Sequence, residues 1–153
     1  MVMDEIDLRL IELLTSNART SYAELAAQVG LSAPSTAERV RRLEERGAVL
    51  GYAARVDPAA LGRDLTAFVS VSVGDRAQTR AFLAAVAKLP EVVECHHVAG
   101  DDDYLLKVHV DGTRGLEALV TDRLKAIKGV TRTRTTVVLS TAIDRPVAVD
   151  GGA

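Results

Sequence analysis

The hydrophobic period of this chain changes at Gly47, and that change limits the folds open to it. Before Gly47 the apolar side chains recur every three or four residues; after it they alternate, and β-branched residues accumulate. A stripe of helical period buries one side of a helix, whereas alternation buries one face of a strand. An α+β chain in two parts is expected, the first all-helical and the second mixed.

In the first part, Ile6, Leu10, Leu13 and Leu14 form one apolar set, with Asp4 as its N-cap and Asn17 near its end. The run Ser21-Tyr22-Ala23-Glu24 has the spacing of a capping box and opens a second helix carrying Leu25, Ala26 and Val29. Gly30 ends it, because a residue without Cβ takes the left-handed conformation of a C-cap at no cost. Ser32 caps a third helix, expected to reach Arg46 with Gly47 behind it; Pro34 falls in its first turn, where N–H groups have no intrahelical acceptor. Two short helices joined by Val29-Gly30-Leu31-Ser32 have the length and turn chemistry of a helix-turn-helix.

After Gly47 the sequence predicts a strand over Ala48–Val56 and a short connector at Asp57-Pro58 with Gly62. Strands follow at Leu65–Val73, Val92–Ala99, Tyr104–Val110 and Val130–Ser140, with helices at Arg76–Lys88 and Thr113–Ile127. This β-α-β-β-α-β order is the ferredoxin-like split unit, with two helices on one face of a four-stranded sheet. The expected organisation is a helical domain at 1–48, a strand hinge at 49–62, the ferredoxin-like domain at 63–143 and a flexible tail at 144–153. Leu105 and Leu106 are apolar on both faces of their strand, and Val137, Val138 and Leu139 likewise. A sheet covered by helices on one side should be polar on the other, so a second copy is expected against the open face.

The formal charge of −2 argues at first against nucleic acid, but it averages unlike parts. Residues 1–31 carry −3, residues 32–60 carry +1, and residues 61–153 are balanced. The only net-positive segment is the third helix with the strand after it. Aromatics make up 3% of the chain and Trp is absent, which disfavours a surface that stacks on single-stranded bases. The single cysteine, Cys95, cannot close an internal disulfide. The acidic Met1–Asp7 stretch lacks the features of a secretory signal, and no apolar run approaches a membrane span. A cytoplasmic, nucleoid-associated protein with no membrane partner is expected.

At about 100° per residue, Ser35, Arg39, Arg42 and Arg46 fall on one stripe of the third helix, and Thr36, Val40 and Leu43 on another that seals the core. Glu38, Arg41 and Glu45 occupy a third side, where they can pair at i,i+3 and i,i+4. With the acids segregated, the arginine stripe suits a duplex groove, since arginine contacts phosphates and pairs bidentately with guanine. Candidate DNA-binding residues are Ser32, Ser35, Thr36, Arg39, Arg42 and Arg46.

These motifs, taken in order, carry a resemblance. Ile6-Asp7-Leu8-Arg9-Leu10-Ile11-Glu12-Leu13-Leu14, Asn17-Ala18-Arg19-Thr20-Ser21-Tyr22-Ala23-Glu24-Leu25-Ala26 and Val29-Gly30-Leu31-Ser32 begin it. Glu38-Arg39-Val40-Arg41-Arg42-Leu43-Glu44, Gly47 and Gly51-Tyr52 continue it. With Val93-Glu94-Cys95, Gly100-Asp101-Asp102-Asp103-Tyr104-Leu105, Gly129-Val130 and Thr133-Arg134-Thr135, the chain resembles the Lrp/AsnC family of transcription regulators over nearly all its length except the tail.

The resemblance implies a winged-type helix-turn-helix of three helices, a strand hinge, and a ferredoxin-like domain that dimerises and binds a small effector, usually an amino acid. It implies assembly to a tetramer of dimers, with duplex DNA and a second copy as partners. It also implies an effector site at Val98, Ala99, Gly100, Asp101, Asp102, Asp103 and Tyr104 together with Thr133, Thr135 and Thr136. The family pattern has an aromatic or other bulky residue at the position of Asp102, so a carboxylate there makes the loop unusually acidic. In the loop, Asp carboxylates would accept from an effector ammonium, and loop N–H groups and Thr hydroxyls would donate to its carboxylate.

Cys95, His96, His97 and His109 invite a metal reading, but alternation along a strand puts His96 opposite Cys95 and His97, and no tetrahedral set follows. Neither a metal nor any other cofactor is expected. A catalytic use of the three aspartates lacks a nucleophile or an activating base nearby. An enzyme is therefore not expected, and the remaining alternative is a small-molecule sensor whose helices serve as a protein-interaction module.

Overall fold

The computed structural model describes residues 3–149, without the side chain of Arg76. Backbone contacts divide the chain into two compact units, one reaching to Ala54 and including residues from Ile143 onward, the other Arg55–Ala142.

Three helices build the first unit: α1 (Glu5–Ser16), α2 (Tyr22–Val29) and α3 (Ala33–Glu45). Local hydrogen bonds fix each start. Asp4 and Asp7 form a reciprocal capping box on α1, Ser21 and Glu24 form another on α2, and the Ser32 side chain accepts from the Ser35 N–H. Gly30 ends α2 at φ +70°. Leu10, Leu14, Leu25, Val40 and Leu43 make the core, so the three apolar stripes converge as their spacing requires.

Ala48–Val56 forms no strand, contrary to expectation, and among the described residues no strand pair that could serve as a wing accompanies the three helices. Ala48 and Val49 donate to the Leu43 carbonyl as an extension of the α3 C-terminus, and residues 50–57 run irregularly and exposed. A strand needs a ladder partner, and this segment has none among the described residues. A 3-10 turn at Pro58–Leu61, capped by Asp57, follows.

The second unit contains β1 (Leu65–Val73), α4 (Arg76–Val86), β2 (Val92–His97), β3 (Tyr104–Val110), α5 (Gly112–Glu117, continuing as π-helical turns over Ala118–Leu124) and β4 (Val130–Val137). The antiparallel sheet has the order β2-β3-β1-β4. Ala67, Val69 and Val71 share one face of β1, and Tyr104, Leu106, Val108 and Val110 share one face of β3. These two rows pack on Phe82, Val86, Leu119 and Leu124 from the helices. Register places Phe68, Ser70 and Ser72 on the other face, beside Leu105 and Lys107 of β3 and Arg132, Arg134 and Thr136 of β4. Residues 144–149 of the expected tail have no regular structure; 150–153, and residues 1–2 of the expected helical domain, lie outside the described residues.

Candidate nucleic-acid interface and effector loop

The arginine stripe of α3 is not free of acids. Arg39 Nη1 donates to Asp4 Oδ2 at 2.8 Å and to Asp7 Oδ1 at 2.7 Å, so it ties α3 to the start of α1. The Asp4 carboxyl is held below its usual range by the Asp7 N–H and by Arg39. Arg39 was expected to face DNA; its Nη1 is tied to Asp4 and Asp7, while the side chain stays 31% exposed along the edge it shares with Arg42 and Arg46. Thr36 is corrected: it is fully buried with Val40 and Leu43, and its hydroxyl has no hydrogen-bond partner among the described residues.

Arg42 Nε donates to Glu38 Oε1 at 3.0 Å, an exposed pair one helical turn apart. Arg41 also reaches Glu38, and Glu45 on the other side. Two arginines hold the Glu38 carboxyl down to about 2. Of the six candidates, Ser32 and Ser35 hydrogen-bond each other at the helix start. Arg46 is exposed and makes no ion pair among the described residues, and Arg42 keeps outward N–H groups. Asp4, Asp7, Arg39, Arg42 and Arg46 surround a cleft of about 320 Å3 along this edge of the helical unit. The wheel places residues by angle on one helix; it could not show that Asp4 and Asp7 of another helix reach that side.

In the second unit the acidic loop is structured by its own charges. The Asp102 side chain, only 5% exposed, accepts from Ser72 Oγ at 2.8 Å, from Arg132 Nη2 at 2.8 Å and from Arg134 Nη2 at 2.9 Å. Those bonds, the Ser72 hydroxyl foremost and then the guanidiniums, hold its carboxyl below the usual range. Arg132 Nη2 also donates to the Asp101 carbonyl. Asp103 accepts from the Val73 N–H at 2.7 Å and so closes the end of β1. Of the three carboxylates, only Asp101 makes no side-chain bond among the described residues and is exposed. The expectation that Asp102 could accept from an effector ammonium is therefore corrected, because its lone pairs are taken by Ser72, Arg132 and Arg134.

The expected effector set is split by the sheet. Thr133 and Thr135 oppose Val71 and Val69, on the helix-covered side, whereas Thr136 opposes Phe68 on the open face with Asp102, Arg132 and Arg134. Tyr104 is 6% exposed, its ring against Phe82 and His97, so its side chain belongs to the core rather than to a site. Val98, Ala99 and Gly100 remain in the loop, where the Val98 N–H donates to the Asp103 carbonyl. Sequence reasoning missed Ser72, Arg132 and Arg134. The i,i+2 spacing of the two arginines signalled a shared face, but only the β1–β4 register brings that face over Ser72 and Asp102.

The histidines lie apart. His96 pairs with Glu94 at 3.0 Å, His97 stacks on Tyr104, and His109 Nδ1 shares a hydrogen bond with Thr66 at 2.8 Å. Among the described residues no three metal-ligating side chains converge, and no helix is long and apolar enough to cross a membrane.

Comparison with known proteins gives matches over both units. Residues 3–44 match the AsnC-type helix-turn-helix domain, and residues 66–148 match the Lrp/AsnC ligand binding domain. The chain is 41% identical over 139 residues to the HTH-type transcriptional regulator LrpA of Mycobacterium tuberculosis, covering 91% of each. It is 40% identical to the leucine-responsive regulatory protein of Escherichia coli K12, over 90% of this chain and 85% of that one. A transcriptional regulator of Neisseria meningitidis, solved as its L-methionine complex, superposes with a TM-score of 0.92 at 29% identity, covering 97% of this chain and 98% of that one. The feast or famine regulatory protein of M. tuberculosis complexed with L-methionine superposes at 0.89 with 38% identity, covering 97% and 99%.

Proposed function

Because the chain belongs to the Lrp/AsnC family of transcription regulators, we propose that α3 of its first unit reads duplex DNA and that the Val98–Asp103 loop of its second unit senses an amino acid. The protein is a DNA-binding transcription regulator that responds to a small effector. The observation carrying this is that both parts such a regulator needs are matched in order along one chain, each on a separately packed core.

DNA contact falls to Ser32, Ser35, Arg42 and Arg46, with Arg39 holding α3 in place. A helix of this kind enters the major groove by its N-terminal end while arginines along its edge meet phosphates. The effector carboxylate meets the outward N–H groups of Arg132 and Arg134 and the loop backbone. Each guanidinium has five N–H donors and Asp102 takes only some of them. Two relatives solved with L-methionine support an amino acid as the ligand class. The residue ranges 1–48, 49–62, 63–143 and 144–153 serve as the DNA-binding part, hinge, sensing part and tail.

A second copy supplies what the single chain lacks. Leu50 is 95% exposed, Tyr52 and Val56 are each about half exposed, and the segment carrying them has no ladder partner. Pairing of this hinge with its copy, and burial of the open sheet face at Phe68 and Leu105, would form the dimer. Dimers would then assemble in fours in the cytoplasm, at the nucleoid. A two-fold pair of α3 helices reads half-sites one helical turn apart.

Fluorescence anisotropy with the protein's own upstream DNA at two salt concentrations tests the DNA half. A linear fall of log affinity with log salt is expected, and a flat response would favour the protein-interaction alternative. A thermal-shift screen of the twenty amino acids tests the effector half, since a ligand selective for the folded state raises its stability. No shift with any of the twenty would refute the amino-acid assignment and leave the DNA assignment standing.

A further inference from the structure

A second cleft, of about 570 Å3, lies in the ferredoxin-like unit among the 3-10 turn, the C-terminal end of β3 and α5, whereas the acidic loop precedes the start of β3. Its wall carries three guanidiniums, Arg63, Arg114 and Arg123. Arg63 Nη1 donates to the Pro90 carbonyl at 2.6 Å and Arg123 Nη1 to Glu91 Oε1 at 2.6 Å. Both are thereby anchored with further N–H groups to spare, while Arg114 is exposed and has no ion pair among the described residues. The acids of the wall are Glu91 and Asp111, so with His109 neutral the lining carries a net positive charge.

Glu91 adds the opposite requirement. Its Oε2 is buried and has no hydrogen-bond partner among the described residues, although its Oε1 is held by Arg123. A buried carboxylate oxygen without a donor is costly, and a ligand that brings a donor removes that cost. The helix forming one side of the cleft is π-wound over Ala118–Leu124, a rare winding frequent at functional sites, and Ala118, Leu119 and Arg123 of this stretch line the cleft.

We propose that this cleft is a second ligand site, separate from the Val98–Asp103 loop, and that it takes a small zwitterion: an anionic end on Arg63 and Arg114, and an ammonium on Glu91 Oε2. The anionic end is a carboxylate or a phosphate, both of which match guanidinium geometry. Occupancy would brace the 3-10 turn and α5 against the end of the sheet, giving the regulator a second input.

Isothermal titration of the full-length protein tests this with each of the twenty amino acids and with phosphoethanolamine as probes, and with acetate and inorganic phosphate as anions without an amine. The expected result is a binding event that survives Asp102→Asn, weakens at least tenfold in Arg114→Ala, and weakens in Glu91→Gln for the zwitterion but not for the simple anion. Binding by an amino acid points to the carboxylate form, and by phosphoethanolamine to the phosphate form. Arg114 is exposed and unpaired among the described residues, so its variant keeps the fold, which circular dichroism checks. Binding lost in Asp102→Asn but intact in Arg114→Ala would overturn this site while upholding the loop as the sensor. Absence of binding by any zwitterion, or equal binding of the zwitterion in wild type and Glu91→Gln, would overturn it too.

Discussion

Arg134 donates from Nη2 to Oδ2 of Asp102 at 2.9 Å, joining the edge strand β4 to a loop 32 residues earlier in the chain. With Arg132 and Ser72 on the other oxygen, this fastens the loop across β1. The carboxylate is depressed below its unfolded value of about 3.9. Its contribution to stability is therefore complete above that value and is lost as pH falls through the lower folded value. Thermal melts of wild type and Asp102→Asn between pH 6 and pH 2.5 should differ most at the upper end and converge at the lower. A constant difference across the range would sink the assignment.

Arg39 and Arg46 should separate scaffold from DNA contact. Arg39→Ala releases α1 from α3 and should lower the melting temperature even without DNA. Arg46→Ala should leave melting unchanged and reduce the slope of log affinity against log salt by about 0.9, the value for one phosphate. Anisotropy titrations across a salt series, with melts of the same samples, read both quantities.

Thr36→Val should be neutral or stabilising, by up to about 1 kcal/mol. The hydroxyl is buried without a partner and the replacement has the same shape. Urea unfolding decides this, with a loss of stability as the adverse outcome.

Gly129 precedes β4 at φ +101°, and a Cβ there would overlap the Gln78 side chain. Gly129→Ala should cost about 1 to 3 kcal/mol from backbone strain before any shift of Gln78 is counted. Equilibrium unfolding would show it as a lower midpoint at unchanged slope.

Leu106→Ala removes a fully buried side chain from the centre of the sheet core. The expected loss is about 2 to 5 kcal/mol, transfer and cavity terms together. A value under 1 kcal/mol would mean that this core is loosely packed.

Outside the hinge, the sequence alone determined the kind and order of the elements, because their signals are local. Capping at Asp4, Ser21 and Ser32 works over two or three residues, and the alternation of Leu65–Val73 or Tyr104–Val110 is visible in the strand itself. The ordered motifs also sufficed to place the chain in its family. Only the tertiary structure decided who meets whom. Asp4 and Asp7 claim Arg39 from 32 residues or more away, Arg132 and Arg134 claim Asp102 through the β1–β4 register, and Arg123 leaves one oxygen of Glu91 unpaired. The hinge shows the same limit, since Ala48–Val56 has strand composition but no ladder partner among the described residues. Spacing encodes contacts closed by one turn of helix or one pleat. Ion pairs between elements depend on sheet order, register and helix packing, which the whole fold sets at once.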